Sequence, residues 1–91
     1  MKQKIELDSY PGIALSSREV EVLLYCAAGQ TIQQTAESLS ISYSTAKTHR
    51  ENIRERFNLK GNFGIKHFAD KHRNEFEKFL GIIEKIGSST D

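Results

Sequence analysis

Three histidines, one cysteine and a central run of cations are the side chains of this 91-residue chain that could do chemistry. His67 and His72, with Asp70 between them, invite a metal reading. Their i,i+5 spacing puts the imidazoles on different faces of a helix, unlike the i,i+4 pair of zinc-binding helices, so no metal is expected. Cys26 lies in the apolar half of a helical stretch and reads as core. As the only cysteine it allows no intrachain disulfide, which suits a reducing compartment. Ser, His and Asp occur without a nucleophile elbow, a glycine-rich phosphate loop or a paired-carboxylate motif. No catalytic residue, no cofactor and no enzyme are expected.

What remains is recognition of phosphate and bases. Residues 43–60 carry Lys47, Arg50, Arg54, Arg56 and Lys60 against Glu51 and Glu55, a local +3. Residues 1–42 sum to −2 and residues 61–91 to zero, so the overall +1 hides a concentrated footprint of positive charge. A solvated helix face laced with i,i+4 pairs would give the same count. No stretch is long enough to span a bilayer, and MKQKIELDSY lacks the apolar core of a signal peptide. A soluble, cytoplasmic protein with no membrane partner is expected.

The elements that must position these cations are helices. Residues 1–14 read as a flexible N-terminal arm broken by Pro11-Gly12. Ser16 and Glu19 form a capping-box pattern ahead of the stripe Val20, Leu23, Leu24 and Ala27, and Gly29 supplies the stop. That predicts helix one over 16–28. Thr31 and Gln34 repeat the pattern for helix two, 32–39, with Ile32, Thr35, Ala36 and Leu39 as its stripe. Ser40-Ile41-Ser42 is a tight turn, Ser42 caps helix three over 43–57, and helix four begins near Phe63. The spacing 65, 68/69, 72, 76, 79/80, 83, 86 approaches a seven-residue repeat, as in a helix packed lengthwise on a partner. It predicts an extension over 74–86 that forms a homodimer through Phe76, Phe79, Leu80 and Ile83. Gly81 also permits a turn by which the helix would instead fold back over its own core. A disordered tail follows at 87–91. The fold class is all-α: a four-helix helix-turn-helix domain over 15–73 with an extended C-terminal helix. Its core is expected to hold Leu15, Val20, Leu23, Leu24, Ala36, Leu39, Ile41, Ala46, Ile53 and Phe57.

Two helices joined by so short a turn form the unit whose second helix enters the DNA major groove. At 100° per residue, helix three places Ala46, Ile53 and Phe57 inward, with His49 and Arg50 at the flanks. Ser44, Thr48 and Glu51 face outward, with Lys47 beside them. The motifs Leu15-Ser16-x-Arg18-Glu19-x-Glu21-Val22-Leu23, Ala27-x-Gly29, Ala36-x-x-Leu39-x-Ile41-Ser42 and Thr45-Ala46-Lys47-x-His49-x-x-Asn52-Ile53 resemble the LuxR/GerE-type helix-turn-helix domain of bacterial transcription regulators. The resemblance covers residues 15–69. It implies a sequence-specific regulator that binds double-stranded DNA, often as a homodimer, and that can meet RNA polymerase. It further implies that Lys47 and Thr48 face bases, and that Thr45 and the start of helix two, at Thr31, meet phosphate. Arg50 and Arg54, with Arg56, read as backbone clamps. The DNA surface expected is thus Thr31, Ser44, Thr45, Lys47, Thr48, Arg50, Glu51 and Arg54. His49 and Asn52 match positions read as packing or backbone-anchoring.

The chain departs from the pattern at Gln33-Gln34-Thr35, where Lys-Glu-Ile is usual, and at Ala46, where Val is usual. Gln33 removes a cation near phosphate. Glu51 brings a carboxylate that can accept from cytosine N4 yet repels phosphate. Two other readings fit these departures. One is an interaction module that kept the fold with little DNA affinity; the other is promoter recognition resembling region four of sigma factors.

Overall fold

The computed structural model describes residues 4–89, and side-chain surroundings for all of these except 62 and 82–89. Five helices and one small sheet follow in chain order. They are β1 (Lys4–Glu6), β2 (Ala14–Ser16), α1 (Ser17–Ala27), α2 (Ile32–Leu39), α3 (Tyr43–Arg56), α4 (Gly61–Lys71) and α5 (Arg73–Ser89). The all-α class and the helix-turn-helix hold; the sheet is an addition to them.

The helix boundaries are set by local chemistry that the sequence carries openly. The Ser16 hydroxyl accepts from the Glu19 amide at 3.2 Å, and the Ser16 amide donates to Glu19 Oε1 at 2.9 Å. Thr31 and Gln34 make the same reciprocal pair at 3.1 and 2.9 Å. Each box satisfies two amides that the first helical turn would otherwise leave orphaned. At the end of α1, Gly29 at φ +87° lets its own amide reach Cys26 O and the Gln30 amide reach Tyr25 O. This paired closure needs a left-handed residue, which glycine supplies without strain. Asn58 does the same for α3 at φ 55°, with the Leu59 amide on Arg54 O at 2.8 Å.

The N-terminal segment is not a free arm. β1 and β2 pair antiparallel with Ile5 opposite Leu15, and Glu6 Oε1 receives the Gly12 amide across the connecting turn. Leu7 is fully buried, and the ring of Tyr10 stands edge-on to Phe57 and Phe68 at 5.0 and 5.5 Å. The alternation is too short in Lys4-Ile5-Glu6 to be recognised without its partner strand. Burying Leu7 and Tyr10 is what fixes it.

α1 is the central helix, lying against α3, α4, α5 and β2. That position explains why Val22 is buried although it lies off the predicted stripe. Leu15, Val20, Leu23, Ile53 and Phe57 are buried as expected, and Ala36 and Ala46 are buried too. Leu24, Leu39 and Ile41 are only half-buried, and Leu7, Val22 and Phe76 join the core instead.

The single extended C-terminal helix is replaced by two. α4 ends at His72, whose backbone leaves the helical region (φ −107°, ψ 15°), and α5 runs back along α1. The turn falls at His72 rather than at Gly81, which lies within α5. α5 also continues through 87–89, where a disordered tail was expected. Residues 90 and 91 lie outside the described residues. Phe76 is fully buried in this chain's own core, so it is unavailable to a second copy. Phe79 and Leu80 are half-buried against the same cluster, and the side chain of Ile83 lies outside those described.

Candidate nucleic-acid interface

The site is built on the α2–α3 corner. α2 ends at Ser40 in the left-handed region (φ 56°), and the Ile41 amide closes back on Ala36 O at 2.9 Å. Ser42 then caps α3, accepting the Thr45 amide at 3.1 Å. Three residues therefore turn the chain from one helix into the next. Thr35, Ala36 and Ala46, all buried and all small, let the two axes approach. The bulk removed at Thr35 and Ala46 is thus consistent with a tight corner.

α3 sorts its polar residues by position around the axis. Tyr43, Ser44, Thr45, Lys47, Thr48, Asn52 and Glu55 are exposed, while His49, Arg50, Glu51 and Arg54 are half-buried. Ser44 and Thr45 share a hydroxyl cluster with the Ser42 cap, at 3.2 and 2.9 Å from its Oγ. Lys47, Thr48 and Glu51 lie on the outward side, as the wheel requires. Asn52 belongs with them rather than with the packing residues: it is exposed and its side chain makes no hydrogen bond among the described residues. The 100° rule already put it closer to the outward face than to the core. An amide there can donate and accept at once, the pattern that adenine presents in the major groove.

The three arginines of α3 part company. Arg50 turns inward, its Nη2 donating to Cys26 Sγ at 3.4 Å, and it borders a groove with Gln30, Thr31, Ile32, Gln33 and Tyr43 at the start of α2. Arg54 borders a separate groove with Glu51, Glu55, Asn58 and Leu59. Arg56 is engaged within the chain. Its Nη1 donates to Ala14 O at 2.8 Å and its Nη2 pairs with Glu19 Oε2, tying the end of α3 to β2 and to the capping box of α1. Among the described residues no ion pair involves Lys47, Arg50 or Arg54.

Burial pushes the Cys26 thiol up, against the opposing pull of Arg50 and Lys66, so it stays protonated at neutral pH. Burial, with the nearby Arg18 cation, pushes His49 below its ordinary value. His49 is thus a neutral packing histidine. His67 is exposed and His72 is buried, and the two do not converge on one site. Thr31 is exposed at the α2 N-terminus, with its oxygen engaged by the Gln34 amide and its proton free to donate.

Comparison with known proteins agrees with this geometry. The chain is similar to the transcriptional regulatory protein MctR of Rhizobium johnstonii, 31% identical over 87 residues, 96% of this chain and 36% of that protein. It is similar to the response regulator UvrY of Escherichia coli K12, 29% identical over 62 residues, 68% of this chain and 28% of the other. Over 55 residues it is 39% identical to the transcriptional regulatory protein TdiR of Thauera aromatica, covering 60% of this chain and 24% of that one. The chain spans about a quarter to a third of the length of these curated relatives. No solved structure gives a significant match. Residues 13–69, more than half of the chain, match the luxR family of bacterial regulatory proteins, GerE. The chain belongs to that family, and its helix-turn-helix is the DNA-binding domain of a transcription regulator.

Proposed function

We propose that α3 lies in the major groove and reads sequence through Lys47, Thr48, Glu51 and Asn52. Ser44, Thr45 and Arg54 then meet the flanking phosphates. Thr31 and Arg50 meet the backbone where the start of α2 crosses it. One observation carries this reading. The outward face of a helix set by a three-residue turn holds exposed Lys47, Thr48 and Asn52, a cation and hydrogen-bonding groups without side-chain partners among the described residues. Glu51, half-buried beside Arg54, would restrain non-specific affinity while accepting from cytosine.

The reading assigns no catalytic role to any residue. Among the described residues no helix is long and apolar enough to cross a membrane. A cytoplasmic setting, pairing of two copies on DNA and contact with RNA polymerase belong to the same proposal. The test is a salt-dependent mobility shift with Lys47→Ala. Binding should weaken with the thermal midpoint nearly unchanged. If Lys47 meets phosphate, the slope of log K against log salt should shrink by about one unit. If it meets a guanine edge, discrimination should fall by about 1–3 kcal/mol at one position. Wild-type protein without affinity for any duplex would favour an interaction module on the same fold.

A further inference from the structure

Phe63 is 90% exposed, on the first turn of α4. A lone exposed aromatic is ordinary on a protein surface; this one borders a cleft. The cleft, of about 170 Å³, is lined by Cys26, Gly29, Gln30, Arg50, Phe63 and Lys66. Cys26 supplies a buried, protonated sulfur as its floor. Arg50 and Lys66 supply two cations on its walls, and no carboxylate lines it. Asp70, the carboxylate bound by Lys66 at 3.1 Å, stands a turn further along α4, and both partners are exposed. Exposed pairs of this kind exchange readily for a competing carboxylate.

From this juxtaposition we infer that the cleft is a docking site for an acidic segment of a partner protein, one that inserts an aliphatic side chain between flanking carboxylates. The aliphatic group covers Phe63 and the Cys26 floor, and the carboxylates meet Arg50 and Lys66. A DNA duplex matches the charge but keeps its bases stacked within the helix and away from Phe63, so a peptide is the better fit than a duplex. None of the proposed base readers Lys47, Thr48, Glu51 and Asn52 lines the cleft. It shares Arg50 with the groove at the start of α2. A partner seated here therefore competes for, or reorients, one proposed phosphate clamp.

The experiment is an amide chemical-shift titration of the intact chain with a capped peptide holding a Leu-Leu pair between glutamates. A lysine-flanked version is the control, and a short duplex DNA is titrated separately. Saturable shifts at Cys26, Gly29, Phe63 and Lys66 with the acidic peptide alone are expected. Phe63→Ser and Lys66→Glu should each weaken that binding about tenfold. Phe63 is exposed, so its variant should melt like wild type. No response to the acidic peptide, or an equal response to the lysine-flanked one, overturns the proposal. So does a duplex that shifts the same amides and loses affinity in Phe63→Ser, which would make the cleft part of the DNA contact. Self-association abolished by Phe63→Ser would assign it to a second copy instead.

Discussion

Three arginines on one helix meet three fates. Arg50, Arg54 and Arg56 are indistinguishable to a charge count, and residues 43–60 sum to +3 whichever of them is free. Their angular positions differ, however. Arg56 lies close enough to β2 to donate to Ala14 O while pairing with the buried Glu19 carboxylate. Removing Arg56 would leave the largely buried Glu19 carboxylate without its partner, whereas Arg56, more than a third exposed, would stay solvated without Glu19. That Lys47 and Thr48, the proposed base readers, face outward was legible from spacing, because the helical period fixes their side once Ala46 and Ile53 are inward. Arg56 was not legible, since its partners lie 37 and 42 positions away in sequence. His49 gives a prediction at this scale. Its folded-state pKa lies below the ordinary value near 6.5. The unfolded chain therefore binds the proton more readily, and stability falls as pH drops through that ordinary value. His49→Gln should flatten the pH dependence of the melting midpoint between about pH 7 and 5. An unchanged profile in the variant would remove His49 as its source.

At the scale of elements, what the sequence announced were helices bounded by caps. What it concealed were pairings between distant segments. The capping boxes at Ser16 and Thr31 placed α1 and α2 within a residue of their observed limits. The β1–β2 hairpin is invisible locally because each strand has three residues and acquires its register only opposite the other. The break at His72 was hidden for a different reason. The apolar spacing from Ile65 to Phe76 suits a continuous helix on a partner and also a folded-back pair on α1; periodicity cannot choose between them. The structure chooses the second. Phe76→Ala should then cost about 3–5 kcal/mol, lowering the midpoint by roughly 10 °C or more. Phe79→Ala, from a half-buried site, should cost clearly less. A Phe76→Ala protein that melts within a degree or two of wild type would contradict the packing of α5. Tyr10→Ala offers an independent check on the hairpin, because its ring bridges Phe57 at the end of α3 to Phe68 of α4. It should destabilise the domain, whereas removal of a free arm would not.

For the molecule as a whole, the loss of Phe76 to the interior narrows any pairing surface to the outer side of α5 and its seam with α1. Leu24, Tyr25 and Leu80, with Glu21, border a groove along that seam. The domain measures 40 × 31 × 21 Å. A two-fold pair that reads two half-sites must hold its equivalent recognition helices about one DNA turn apart, roughly 34 Å. We propose that two copies pair through this seam on DNA, each α3 taking one half of a near-palindromic site. A seam with three half-buried apolar side chains and a carboxylate is a modest contact, so pairing should be weak in free solution and stronger on DNA. We expect sedimentation at tens of micromolar to show mostly monomer without DNA, and two copies on a duplex selected from a random pool. Leu80→Glu should retain helicity, lose the two-copy complex and still bind a single half-site with near wild-type affinity. One copy per duplex for the wild-type chain, at protein concentrations that saturate the DNA, would end the dimer reading. Unfolding of Leu80→Glu would instead show that this seam, like Phe76, belongs to the core.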